Sequence, residues 1–215
     1  MLKEKIAEAQ TEDGSILGAE FEKEELLEED ISSLDFEEIH FRRCRFENCD
    51  FSKTAFYKVS FTGCSFLGCI FSEGYFKNCA FSGCKCDGST FEEARFKVNR
   101  FSDGSFCYAN FSKTVWDGCI VKDCLIREAA FSEASLKKLS LEKVDFSGTD
   151  FFLTPLKGID LSDCTIERII LSDSFRELKG ATINSVQAAD LIRRRATPER
   201  QVGGQAVLGR QRLWS

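Results

Sequence analysis

The chain has 215 residues, of which 43% are apolar and 30% charged, as in a soluble globular protein. No segment approaches the roughly 18 consecutive apolar residues of a transmembrane helix, and the acidic start lacks the features of a secretory signal, so we expect a cytoplasmic protein with no membrane contact. The single histidine, His40, disfavours histidine-based catalysis, and the net charge of −6 disfavours direct, nonspecific binding to nucleic acid.

The first 50 residues are strongly acidic, with 16 Asp and Glu against 6 Lys and Arg. The repeat described below extends back to Ile16, where it would turn Glu24 and Glu29 inward, and buried unpaired carboxylates are costly. The segment FEKEELLEED at 21–30 could equally be helical. We therefore expect an N-terminal cap or a loose first coil over 1–30.

A five-residue repeat dominates the rest of the chain. Every fifth residue from Ile16 to Leu171 is apolar, and 19 of the 21 phenylalanines lie on this register, leaving only Phe152 and Phe175 outside it. We call each of these apolar residues the centre of its repeat. Two residues before each centre the chain prefers small or apolar groups, and polar residues lie between, as in CDFSK, CAFSG and VDFSG. A period of five fits neither a helix nor a strand, so the chain must turn at each repeat.

Four repeats per turn predict a square coil of about 20 residues, with short extended sides and turns at the corners. Stacked coils would hydrogen-bond at the spacing of about 4.8 Å between neighbouring strands. The predicted fold is an all-β solenoid over 31–171, supported by a column of buried phenylalanines.

Outward positions on two neighbouring sides differ in charge. The acidic side, with centres from Phe51 to Phe151 in steps of 20, carries Lys53 and Lys113 and six carboxylates: Asp50, Glu73, Glu92, Glu93, Glu133 and Asp150. The basic side, with centres from Phe56 to Leu156, carries Asp117 and seven cations: Lys58, Lys77, Arg95, Lys97, Lys137, Lys138 and Lys157. Such charges fit either a solvated surface or a binding face.

The sequence predicts no catalytic residue, cofactor or metal site. It lacks the phosphate-binding glycine loops and the H-E-x-x-H motif. Nine of the 11 cysteines, all but Cys86 and Cys107, occupy the small inward position, where a free thiol packs as a compact apolar group. Cys107 is expected to be the most exposed thiol, and His40 to be a surface residue.

After Leu171 the register fails, because Arg176 occupies the next centre and Leu178 and Ile183 restart the pattern two residues late. We expect a loop, a last partial coil and a helix at 185–195, together spanning 172–195, followed by a flexible basic tail at 196–215. The helix would cap the open end of the solenoid. A late apolar cluster and two nearby off-register residues hold more apolar surface than one helix can bury on its own coil. They predict a homodimer interface of Phe152, Leu153, Leu178, Ile183, Val186, Leu191 and Ile192.

The repeats resemble the pentapeptide-repeat family, whose motif A(D/N)Lxx forms a right-handed quadrilateral β-helix. The segments ANFSKTVWDGC, TPLKGIDLSDC and LKGATINSVQAADL look like the Qnr class of quinolone-resistance proteins without inserted loops. This resemblance implies a noncatalytic homodimer, joined through its C-terminal module, that mimics DNA. It also implies binding to DNA gyrase and topoisomerase IV, which such proteins protect from fluoroquinolones.

Electrostatic complementarity assigns topoisomerase binding to the six carboxylates of the acidic side. Two features depart from the family: a basic tail replaces its short apolar ending, and a uniform DNA mimic would not carry a basic side. Two alternatives therefore remain, a generic pentapeptide-repeat scaffold for another protein and a thiol or metal protein that uses its cysteine columns.

Overall fold

The five-residue period closes a four-sided coil every 20 residues in the computed structural model, which describes residues 1–12 and 14–196. Phe36, Phe56 and Phe76 are direct partners in neighbouring parallel strands, so each coil stacks in register on the one before it. The predicted all-β solenoid is confirmed.

Two sides of the solenoid are seven-stranded parallel sheets. The sheet of the basic side contains β1 (Ser15–Leu17), β4 (Asp35–Glu37), β7 (Ala55–Tyr57), β10 (Tyr75–Lys77), β12 (Arg95–Lys97), β14 (Val115–Asp117) and β16 (Ser135–Lys137). The sheet of the following side contains β2 (Glu20–Glu22), β5 (His40–Arg42), β8 (Ser60–Thr62), β11 (Ala80–Ser82), β13 (Arg100–Ser102), β15 (Ile120–Lys122) and β17 (Ser140–Glu142).

The other two sides are less regular. The third has three strands, β3 (Glu25–Leu27), β6 (Arg45–Glu47) and β9 (Ser65–Leu67), and continues as single bridges. The acidic side has no strand among the described residues, and its coils are joined by single bridges that run from Asp30 to Ile170. One tight turn in each coil replaces the expected extended segment there, as at 52–53, where the Thr54 amide donates to the carbonyl of Phe51 at 3.2 Å.

The N-terminal end is closed by helix α1 (Leu2–Thr11), which places Leu2, Ile6 and Ala9 on the first coil. The helical alternative for 21–30 is wrong, because this segment contains β2 and β3. The first coil is regular, and Glu29 is half-buried and ion-paired with Lys3 of the helix. The helix thus neutralises one of the two carboxylates whose burial argued against this coil.

The core consists of aromatic columns. The rings of Phe56 and Phe76 stack with centroids 4.8 Å apart, whereas Phe61 and Phe66 on adjacent sides meet edge to face at 5.3 Å. Both arrangements suit the charge distribution of aromatic rings. Burying each phenylalanine contributes about 1.5–3 kcal/mol, so these columns are the main support of the fold.

A second set of contacts comes from the small inward positions. Thr54 donates its hydroxyl to the carbonyl of Ile31 at 3.0 Å, and the Asn99 amide donates to the carbonyl of Phe76 at 2.9 Å. Each bond joins one coil to the previous coil. Buried polar groups in this solenoid therefore strengthen the stacking instead of opposing it.

The corners require a left-handed backbone two residues after each centre. Glycine fills some of these positions, but Lys53, Glu73 and Val98 also have φ between 56° and 59°. A β-branched residue such as Val98 is unfavourable in this conformation. The stacked ladder imposes the turn even where the residue does not favour it.

The ladder is interrupted after β16 and β17, which are edge strands of their sheets. Pro155 has no amide hydrogen and so cannot donate a backbone hydrogen bond to the previous coil. The carbonyl of Ser162 accepts a hydrogen bond from the Asn184 side chain and not from the previous coil. Among the described residues, no backbone hydrogen bond joins 135–143 to 155–162. The interruption leaves Leu136, Leu139 and Leu141 only partly buried.

The C-terminal end is closed by a 3-10 turn at Arg176–Leu178 and helix α2 (Ser185–Ala196). The Gln187 side-chain amide of the helix donates to the carbonyls of Leu161 and Cys164 at 2.8 and 2.7 Å. Neither helix of the described residues combines the length and apolar character needed to cross a membrane. The flexible tail was predicted at 196–215, but Ala196 belongs to α2. The rest of the predicted tail, from residue 197 onward, lies outside the described residues.

Candidate functional site

The structure places all six predicted carboxylates along the acidic side, but two of them have a local structural role. Asp50 and Asp150 are half-buried and accept hydrogen bonds from the backbone amides of Ser52 at 2.7 Å and Phe152 at 2.8 Å. Each therefore stabilises its own turn, as aspartate often does. Their charge is less available to a partner than the sequence implies.

The other four carboxylates reach solvent and differ in their partners. The Glu73 carboxylate lies 3.8 Å from the Lys53 ammonium. The Lys113 ammonium lies between two carboxylates, 3.3 Å from that of Glu92 and 3.5 Å from that of Glu93. The hydrogen bond and charge of Glu92, followed by the charge of Glu93, raise the pKa of Lys113. Glu133 is exposed and has no ion-pair partner among the described residues. Exposed pairs of this kind are weak, so a competing cation can replace the lysines.

A further acidic region lies at the N-terminal end of the solenoid. The acidic side as defined from Phe51 to Phe151 does not include it. The first coil directs carboxylates outward around several sides, and Glu25 and Glu28 are exposed without an ion-pair partner in the described part of the chain. The high density of Asp and Glu in residues 1–50 was the signal that could have located it. The solenoid thus has an acidic end as well as an acidic side.

The residues predicted to form the dimer interface separate into two groups. Leu191 is buried, and Leu178 and Ile183 pack against the core of their own chain. The remaining four are exposed at their side chains: Phe152 (43%), Leu153 (38%), Val186 (78%) and Ile192 (69%). The first group covers the end of the solenoid, so only the second group is available to another molecule.

The cysteines form a packed lining. Ten of the 11 are buried, and Cys107 alone is half-exposed, as expected. Burial raises the pKa of Cys79 to about 11 and holds that of Cys86 well above the value of a free thiol. The thiols of Cys79 and Cys86 therefore stay protonated and unreactive at neutral pH. The described residues contain no cluster of three or more His, Cys, Asp or Glu that could hold a metal ion.

His40 lies on the surface, where its Nδ1 is 2.7 Å from the hydroxyl oxygen of Ser60 in the next coil. This contact extends the coil-to-coil ladder with a side-chain bond. The position agrees with the expectation of a surface histidine.

Comparison with protein families identifies the repeat directly. A model described as a pentapeptide repeat region matches residues 54–131, and one described as pentapeptide repeats (8 copies) matches residues 32–72 and 124–168. The chain belongs to the pentapeptide-repeat family. Together the two matches span 32–168, the part in which the aromatic columns and their aliphatic continuation form the core.

Comparison with solved structures finds one whose fold is similar to that of this chain. A trypsin-treated form of QnrB1, a plasmid-mediated fluoroquinolone resistance protein, is similar with a TM-score of 0.54 and 20% identity, covering 85% of this chain and 96% of that one. Full-length QnrB1 has a TM-score of 0.38 and 17% identity, covering 84% and 98%.

HetL, a pentapeptide repeat protein involved in heterocyst differentiation regulation from the cyanobacterium Nostoc, has a TM-score of 0.29 and 15% identity, covering 79% and 91% of the two chains. A comparison with curated protein sequences found no match.

Proposed function

We propose that this chain is a noncatalytic, DNA-mimicking protein of the Qnr class that acts in the cytoplasm. It binds DNA gyrase and topoisomerase IV and protects them from fluoroquinolones. The observation that carries this proposal is the similarity of fold to QnrB1 over 85% of the chain, combined with a straight acidic side. The resemblance of ANFSKTVWDGC and LKGATINSVQAADL to this class points the same way.

The acidic side has the geometry that such binding needs. Glu73, Glu93 and Glu133 occupy equivalent corners of different coils, so they form a straight row about 14 Å long at about 4.8 Å per coil. The stacked core keeps the backbone of this row in place, so the backbone needs no ordering on binding. A topoisomerase surface that is built to bind the phosphates of a DNA duplex presents cations to such a row.

The dimer belongs to the same proposal. Val186 and Ile192 project from the terminal helix, and Phe152 and Leu153 are exposed on the last coils. An isologous contact through the terminal helix would bury Val186 and Ile192 of both subunits and double the length of the rod.

A supercoiling assay tests the function. Gyrase is assayed with ciprofloxacin, with and without the protein, and we expect the protein to restore supercoiling. The triple variant Glu92→Gln, Glu93→Gln, Glu133→Gln removes three charges from the acidic side and should weaken this protection. The matched control Asp103→Asn, Asp123→Asn, Glu167→Gln removes three exposed charges from other sides and should leave it unchanged.

Two outcomes would contradict the proposal. If the folded protein neither protects nor inhibits gyrase and topoisomerase IV at micromolar concentration, the generic pentapeptide scaffold is the better description. If both triple variants lose protection equally, total charge and not the acidic side is responsible.

A further inference from the structure

The basic side carries cations that are free of carboxylate partners. In the part of the chain that the structure describes, Lys58 is the one of its seven cations that forms ion pairs, with Glu38 at 2.8 Å and Glu37 at 3.9 Å. Within the described residues, the other six lie beyond ion-pair distance of any carboxylate: Lys77, Arg95, Lys97, Lys137, Lys138 and Lys157. On the acidic side, by contrast, both Lys53 and Lys113 are paired. Unpaired positive charge is therefore concentrated on one side of the solenoid.

Four of these cations, Lys77, Arg95, Lys97 and Lys137, lie on strands of one sheet and form a straight row. Lys77 and Lys97 are direct partners in neighbouring strands, and Lys137 is the partner of Asp117 in the same sheet. At about 4.8 Å per coil, the distance from Lys77 to Lys137 is about 14 Å, and Lys157 lies beyond it. Asp117 is the single carboxylate on this part of the side. The row is thus strongly positive although the whole chain has a net charge of −6.

We propose that the basic side binds the phosphate backbone of double-stranded DNA without sequence preference. A duplex carries one negative charge per about 1.7 Å, so it presents about eight charges along the 14 Å row. Both surfaces are straight and rigid, whereas an acidic peptide would pay an ordering cost to follow the row. The net charge still opposes contact elsewhere, so we expect binding through this side alone.

A duplex fits better than a single strand. Proteins that bind single strands stack bases on exposed aromatic side chains along the binding groove. Here the aromatic residues of this side are Tyr57 and Tyr75, which are half-buried and pack on each other with centroids 5.6 Å apart. They lie at one end of the row, and none lies between Lys97 and Lys157 on the outer surface.

The proposal is tested by fluorescence anisotropy with a labelled duplex of about 20 base pairs at low salt, without any topoisomerase. Six phosphate contacts, one for each unpaired cation, predict a slope of about −5.4 for log K against log salt. The variant Lys77→Gln, Arg95→Gln, Lys97→Gln should bind at least tenfold more weakly and lose about half of this slope. The control Lys85→Gln, Lys143→Gln, Arg168→Gln removes three exposed, unpaired cations from other sides and should bind as the parent protein does.

Four results would overturn the proposal: no binding of the duplex at low salt, an equal loss in both triple variants, tighter binding of a single strand of the same length, or equal competition by polyglutamate. The last result would point to an acidic protein surface as the partner. Because the assay contains no topoisomerase, its failure leaves the proposed function untouched, and failure of the supercoiling assay leaves this proposal untouched.

Discussion

The carboxylate of Glu177 accepts a hydrogen bond from the backbone amide of Leu153 at 3.2 Å and so joins the C-terminal loop to the last full coil. The Glu177 side chain is 1% exposed and also accepts a hydrogen bond from the Ser172 hydroxyl at 2.8 Å. The backbone carbonyl of the same residue accepts the amide of Leu156. One off-register glutamate therefore holds the segment at which the five-residue pattern fails.

Glu177 predicts a pH dependence of stability. Burial opposes its ionisation, but hydrogen bonds from its own backbone amide, Ser172 and Leu153 outweigh burial and lower its pKa below the ordinary 4.5. A lowered pKa gives stability that is fully present above the unfolded pKa and lost as pH falls through the folded pKa. Thermal unfolding of Glu177→Gln at neutral pH should therefore show a loss of about 1–3 kcal/mol, a difference that shrinks below about pH 4.

The exposed Glu167→Gln provides the control and should melt like the parent protein at every pH. A Glu177→Gln variant with an unchanged difference from the parent between neutral and acid pH would refute the role of ionised Glu177.

The aromatic columns predict a large and position-specific loss of stability. Phe61, Phe81 and Phe101 are 1–3% exposed, and replacing any of them by alanine should cost about 3–5 kcal/mol through lost burial and a cavity. Phe152 is 43% exposed, so Phe152→Ala should cost distinctly less. Equal shifts in chemical denaturation for all four variants would contradict the central role of the columns.

Val98 predicts a stabilising substitution. It is 52% exposed and has a φ of 56°, where a β-branched side chain is strained and asparagine is tolerated. Val98→Asn should raise the free energy of unfolding by about 1 kcal/mol, measured by urea denaturation. Val115→Asn, in an extended strand, is the control, and an equal gain there would show that the backbone conformation is not the cause.

The periodicity was sufficient to predict the solenoid because the centre of every five-residue repeat must face the core, and that rule is visible from Ile16 to Leu171. It could not predict the left-handed corners, because Lys53 and Glu73 do not favour them and only the stacked ladder imposes them. The sequence also could not show which carboxylates are free. Asp50 and Glu133 are equally acidic in the sequence, but only the structure shows that Asp50 binds a turn amide.

The ladder interruption predicts local amide exchange. The backbone amides of Gly118 and Asp123 donate to the carbonyls of Lys137 and Glu142 in the next coil at 3.0 and 2.9 Å. The amides of Lys138 and Lys143, 20 residues later, have no partner among the described residues. In hydrogen exchange followed by NMR, Lys138 and Lys143 should exchange much faster than Gly118 and Asp123. Equal protection of all four amides would mean that the ladder continues across this point in solution.

The proposed dimer predicts that charge on the terminal helix separates the subunits. Val186→Glu with Ile192→Glu places two carboxylates at positions that are 78% and 69% exposed, so the monomer should fold while its contact is lost. Light scattering should then report half the mass of the parent protein. These substitutions are a cleaner test than removal of residues 178–215, because Leu178, Ile183 and Leu191 cover the core of their own chain.

Two further variants complete this test. Leu17→Glu changes an equally exposed apolar residue at the other end of the solenoid and should leave the dimer intact. Removal of residues 197–215 should also leave it intact, because that segment is polar and glycine-rich and offers little apolar surface to bury. A dimer lost with 197–215 alone would show that this tail makes the contact. A parent protein that is monomeric at tens of micromolar would refute the dimer itself.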